Sequence, residues 1–149
     1  MLDGKTIAVV LPAYNAASTL KPTVDELPDI VYLVQPFLPE IQTDGEWSLM
    51  FIDGEFTHAV VKRPAVGDYR VQEEYGGQAT VTEPSPAILE NAHSALAAAG
   101  PKPAYARVDG VVVNGRFLLM ELELIEPYLY LPQSPEATHK LAATIADRL

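Results

Sequence analysis

The chain contains no cysteine. That excludes a disulfide frame, thiol nucleophiles and thiolate metal ligands. Cations are scarce as well, with ten Lys and Arg against twenty Asp and Glu, a formal net charge of −10. Such a field repels nucleic acid and anionic lipid, so neither is expected as a partner. A phosphate-binding function would have to rest on a few placed cations and a metal ion. No apolar run approaches the roughly 18 residues of a membrane helix. The opening residues MLDGKTIAVVLPAYN lack the basic start, long apolar stretch and cleavage site of a signal peptide. A cytoplasmic protein is therefore expected. There is no Walker-type phosphate loop and no nucleophile elbow. His58, His93 and His139 stand apart, without metal-ligand spacing.

What remains suits a folded domain. At 149 residues, 48% of them apolar, the chain can bury a core. Residues 5–11, KTIAVVL, read as a buried strand, with a short helix from Asn15 or Ser18 towards Leu27. Residues 31–38, VYLVQPFL, read as a second extended segment interrupted by Pro36. Two hairpins follow. WSLMFI and EFTHAVVK flank Asp53-Gly54, and AYARVDGVVV and RFLLMELELIEP flank Asn114-Gly115, both strong two-residue turn signals. The stretch DYRVQEEYGGQATVTEPS between them is polar and aperiodic and reads as a long ordered loop. Ser85-Pro86 and Ser134-Pro135 open two helices. Ile88, Leu89, Ala92, Ala95, Leu96 and Ala99 would face inward from the first, and Leu141, Ala142, Ile145 and Leu149 from the second.

The second hairpin carries the chemistry, in Arg107, Asp109, Glu121, Glu123 and Glu126. Alternation in FLLMELELIE puts Glu121 and Glu123 on one face. A solvated sheet face would explain those two alone. Asp109 on the neighbouring strand changes the balance, because three carboxylates gathered on one face repel unless a cation joins them. A hard divalent ion, most simply Mg²⁺, meets that need. The metal reading carries a geometric condition. A regular ladder from a two-residue Asn114-Gly115 turn sets Asp109 opposite Met120. Bringing Glu121 opposite requires a three-residue loop or a bulge.

Arg107-x-Asp109, then eleven residues, then Glu121-x-Glu123 resembles the metal-binding hairpin of the ATP-grasp ligases. The resemblance implies Asp109, Glu121 and Glu123 as ligands of Mg²⁺ (or Mn²⁺), and Arg107 near phosphate or acyl phosphate. Glu123 stands where Asn is commoner. Val34-Gln35-Pro36-Phe37 resembles the hinge that binds adenine, Glu46 the carboxylate that holds ribose, and Lys62 a phosphate-binding lysine. Asp68-Tyr69-Arg70 with Gly76-Gly77 resembles the loop that closes over the γ-phosphate, making Arg70 and Arg107 the catalytic cations. Isolated, Lys62, Arg70 and Glu46 would be ordinary surface residues; their order along the chain supports the functional reading. The wording is most similar to the glutathione-synthetase-like branch and the cyclo-ligase of cycloserine biosynthesis.

Residues 1–31 instead resemble the opening strand and helix of a family 2 glycosyltransferase, around LPAYNA, although no DxD metal motif follows. The expected organisation is a β-α segment over 1–31 and an ATP-grasp carboxyl-terminal subdomain over 32–149, as in a chimera or truncated fusion. The expected fold is α+β, an antiparallel sheet of two hairpins backed by helices. The resemblance implies ATP and Mg²⁺ as cofactors, a small carboxylate substrate and ligation through an acyl phosphate. Activity should be negligible without the lobe that normally completes the clamp, and a half-clamp is expected to form a homodimer. A non-enzymatic self-associating module and a glycosyltransferase remnant are the alternatives.

Overall fold

The computed structural model describes residue 25 and residues 36–65, 70, 71 and 76–149. The chain divides after Phe37, and the architecture below is that of the unit Leu38–Leu149. Apart from residue 25, the stretch 1–31 that resembles a glycosyltransferase, with its expected strand and helix, lies outside the described residues, as do the proposed join, the hinge residues Val34 and Gln35, and Asp68 and Tyr69 of the expected closing loop.

Five antiparallel strands form one sheet in the order β3-β2-β1-β4-β5, namely β1 (Glu46–Ile52), β2 (Glu55–Arg63), β3 (Gln78–Val81), β4 (Tyr105–Val113) and β5 (Arg116–Glu123). A single helical turn, α1 (Glu40–Thr43), precedes them; α2 (Pro86–Ala98) and α3 (Pro135–Ala146) are the longer helices. The α+β fold expected from the sequence is the fold observed. Two differences stand out. Gln78–Val81, inside the expected loop, pairs with the outer edge of β2, because QATV alternates just enough to add an edge strand. The last strand stops at Glu123 rather than running to Pro127, where Glu126 takes a left-handed φ of 54°.

Both hairpins turn as Asp-Gly and Asn-Gly favour, with Asp53 and Asn114 each at φ 51° and a glycine at positive φ behind them. Each then carries a one-residue bulge in its second strand. In the first, Phe51 pairs with Phe56 but Met50 with His58, leaving Thr57 extra. In the second, Gly110 pairs with Leu119 but Asp109 with Glu121, leaving Met120 extra.

The two faces of the sheet differ. On one, Leu49, Phe51, Ala59, Ala106, Val108 and Phe117 pack under α2 through Ile88, Ala92 and Leu96. Ser85 caps that helix by accepting from the Ile88 amide. Among the described residues the other face is covered only in part, where Met50 and Val60 meet Leu129 and Tyr130, with Leu141 of α3 beside them. The inward stripe of α3 is Ala137, Leu141 and Thr144. Ala142, Ile145 and Leu149, expected inside, are exposed. The stripe follows the line of contact with Leu129–Leu131, which buries a threonine in preference to an isoleucine. Among the described residues, no helix is long and apolar enough to cross a membrane.

Candidate functional site

The part of the second face that no described element covers is charged. Side chains directly opposite in an antiparallel pair share a face, so the register lists its members. Glu46 pairs with Lys62, Ser48 with Asp109, Met50 with Arg107, Asp109 with Glu121 and Arg107 with Glu123. Both bulges are needed for this. Without the Thr57 bulge, Glu46 would face Val61. Without the Met120 bulge, Asp109 would face Met120. The second bulge meets the condition the sequence set, with the two-residue turn intact.

Gly110 permits that bulge. A Cβ there would lie 2.3 Å from Phe117 Cζ and 2.6 Å from the Leu118 carbonyl oxygen. The β5 backbone and the Phe117 ring press onto β4 at this point, and only glycine fits beneath them.

Asp109 is the centre of the site and is wholly buried. Arg107 grips it, with Nε donating to Oδ1 at 3.0 Å and to Oδ2 at 3.1 Å, and Nη2 donating to Oδ2 at 2.8 Å. The same guanidinium donates to Glu123 Oε1 and, through Nη1, to the Tyr128 carbonyl at 3.1 Å. Lys62, 7% exposed, donates to Glu46 Oε1 at 3.2 Å and to Asp109 Oδ2 at 3.4 Å.

Asp109, Glu121 and Glu123 each offer a carboxylate oxygen, all within 4.8 Å of one another. Glu126, grouped with them in the sequence, lies beyond the end of β5 and is exposed. Among the described residues four carboxylates thus face two cations, a surplus of two negative charges when all are ionised. The strain shows in protonation. Burial lifts the Glu46 carboxyl above its ordinary value despite Lys62 beside it. Burial likewise lifts Glu123, with Glu121 and Asp109 adding to it against the pull of Arg107. Burial works against the Lys62 ammonium, but Asp109 and Glu46 outweigh it and keep it firmly charged. A donor set of carboxylate oxygens with two surplus charges fits a hard divalent cation. His58 does not compete as a ligand, since its Nε2 is held between the Leu129 and Tyr130 carbonyls.

The other expected residues are less gathered. Phe37 is 38% exposed. Arg70 is exposed in the stretch between β2 and β3. Ser48 is the residue the sequence reading missed. Its signal was present in the alternation Glu46, Ser48, Met50, which puts a hydroxyl on the charged face.

No protein-family model matches the sequence. Over 71 residues the chain is 39% identical to a glutathione synthetase of Rhodopseudomonas palustris, a match covering 48% of this chain and 21% of that protein. A second glutathione synthetase, from Parasynechococcus marenigrum, is 35% identical over 72 residues, or 48% of this chain and 22% of that one. The matches therefore span about a fifth of each relative's length. Among solved structures, a D-cycloserine synthetase superposes with a TM-score of 0.66 at 29% identity, over 76% of this chain and 41% of that one. The fold is that of the carboxyl-terminal subdomain of the ATP-grasp ligases. A D-alanine–D-alanine ligase from Bacillus anthracis, solved with ATP, shares this ATP-grasp architecture with a TM-score of 0.51 at 22% identity, over 68% of this chain and 36% of that one.

Proposed function

We propose that this ATP-grasp subdomain is the Mg²⁺-ATP-binding half of a ligase that activates a small carboxylate as an acyl phosphate for attack by an amine or other nucleophile. The observation that carries the reading is the meeting of Asp109, Glu121 and Glu123 with Lys62 and Arg107 on one sheet face. In this reading the three carboxylates hold the metal ion. Lys62, Arg70 and Arg107 face the phosphates, Glu46 the ribose, and the backbone of Val34, Gln35 and Phe37 the adenine.

When bound, the metal ion neutralises charge that develops on the transferred phosphoryl group. The residues of the chain supply position and field. Arg107 is fixed by the Asp109 and Glu123 carboxylates and presents a charge that needs no reorganisation as the reaction proceeds. Lys62 sits on a flexible four-carbon stem between two carboxylates and can turn its ammonium to a phosphate as a point charge. No side chain in the cluster need form a covalent bond. A cytoplasmic setting and a homodimer belong to the same reading. Among the described residues β5 is an edge strand, with Leu118 and Leu119 37% and 45% exposed, which supports self-association; sedimentation at micromolar concentration tests it.

Calorimetric titration with a non-hydrolysable ATP analogue, with and without Mg²⁺, tests the main claim. Saturable binding that needs Mg²⁺ and weakens about tenfold or more in Lys62→Met, a loss typical of a charge-assisted bond, is expected. Absence of Mg²⁺-dependent binding at millimolar nucleotide would contradict it.

A further inference from the structure

Ser48 is wholly buried, and its hydroxyl has no hydrogen-bond partner among the described residues. It stands directly opposite Asp109 on the charged face. Opposed side chains in an antiparallel pair have Cβ atoms about 4.5–5.5 Å apart, so a change of rotamer brings the hydroxyl to the carboxylate. A buried hydroxyl without a partner costs stability, where an alanine of nearly the same size would not. The only other buried side-chain polar atom without a partner among the described residues is Glu40 Oε2, which has no proton to give when ionised. Ser48 is thus the uncommitted donor, and it lies beside the most heavily bonded acceptor.

The donors on Asp109 are unevenly shared. Oδ2 accepts from Arg107 Nε and Nη2 and from Lys62, whereas Oδ1 accepts from Nε alone and keeps a lone pair for a cation. A divalent ion on Oδ1 repels the cationic donors on Oδ2, and relief comes if one of them yields. Lys62 is the one placed to do so. Its bond is a single one of 3.4 Å, the longest of the four, and Glu46 is its nearer partner. Arg107 holds on by two nitrogens. Once the ammonium turns away, a buried oxygen of Asp109 is one donor short.

We propose that Ser48 is a positioning residue of the site, whose hydroxyl donates to Asp109 in the cation-bound state, taking the place of Lys62. The site then has two arrangements. In one, Lys62 bridges Glu46 and Asp109; in the other, a divalent cation shares Asp109, Lys62 is released towards phosphate, and Ser48 steadies the carboxylate. A ligand shifts such an equilibrium only through its differential affinity for the two states, and Ser48 adds to that difference because it is bonded in one state alone. The proposal rests on the metal-site reading above.

The test compares wild type with Ser48→Ala in two measurements. Thermal melting in a chelator reports the Lys62-bridged state, and Mn²⁺ titration by water-proton relaxation reports the other. Ser48→Ala should melt at the wild-type temperature or higher in chelator, yet bind Mn²⁺ about tenfold or more weakly, the range seen when outer-shell partners are removed. A hydroxyl with only a structural role would move melting instead. A fall of about 4 °C or more, the equivalent of a lost bond in a domain of this size, or Mn²⁺ affinity equal to wild type, would overturn the proposal. Wild type that binds no Mn²⁺ would overturn the metal site itself and this proposal with it. Wild type that binds, with Ser48→Ala binding equally well, would overturn the role of Ser48 alone.

Discussion

Lys62 Nζ lies 3.2 Å from Glu46 Oε1 and 3.4 Å from Asp109 Oδ2, so one ammonium on β2 joins carboxylates on β1 and β4. The three central strands are tied at their charged end by this cation, and a ligand that recruits it must loosen the tie. Stability and binding are therefore opposed at Lys62. Replacing it with methionine leaves Glu46 and Asp109 without their shared counter-ion, at a cost of about 3 kcal/mol for a broken buried pair. The same change removes a positive charge from the cluster, so Mn²⁺ without nucleotide should bind several-fold more tightly. Chemical denaturation and Mn²⁺ titration should move in opposite directions. Looser binding of the free ion would argue that Lys62 does not share the site.

The bulge opposite Asp109 gives a second prediction. Gly110→Ala forces a methyl group against Phe117 and the Leu118 carbonyl, and overpacking of this kind costs about 1–3 kcal/mol. Because relief comes by moving β5, Mn²⁺ affinity should fall with stability. A variant as stable as wild type would mean that the hairpin is looser at Gly110 than its geometry indicates.

His58 makes stability depend on pH. Burial holds its pKa below the ordinary value, although its bonds to the Tyr130 and Leu129 carbonyls pull the other way. The unfolded chain therefore takes up this proton first, and stability is lost as pH falls below about 6.5. Glu46 and Glu123, raised by burial, act oppositely, since protonation relieves their folded-state penalty as pH falls. Comparison with His58→Gln isolates the histidine. The variant should be about 1–3 kcal/mol less stable at pH 8 for want of the buried bonds, with a smaller gap at pH 5.5. A gap that widens on acidification would contradict the assignment.

Ser85→Ala serves as a structural contrast. Loss of the bond to the Ile88 amide should cost about 1 kcal/mol and leave Mn²⁺ affinity unchanged, because α2 packs on the opposite face. A change in affinity here would show that the two faces are coupled.

Much of this site was legible in the sequence because its signals are local. Asp53-Gly54 and Asn114-Gly115 set the turns, Ser85-Pro86 and Ser134-Pro135 set the helix starts, and alternation put Glu121 beside Glu123. The choice between a wide loop and a bulge was not local. It was decided by Phe117 and Leu118 crowding Gly110, a contact between two strands. The Thr57 bulge had no signal at all, yet it brings Lys62 opposite Glu46. The buried stripe of α3 was misjudged for the same reason, since Leu129–Leu131 decides which side of that helix is inside. Ser48 was overlooked because serine in a strand attracts no notice until its hydroxyl is found buried without a partner.

Paramagnetic broadening by Mn²⁺ of the backbone amides in isotopically labelled protein, with an ATP analogue present, tests the metal site most directly. Broadening should be steepest at Asp109, Glu121 and Glu123 and should disappear in the double variant Asp109→Asn, Glu123→Gln. Broadening centred on the other acidic end of the sheet, at Asp53 and Glu55, or undiminished in the double variant, would contradict the account.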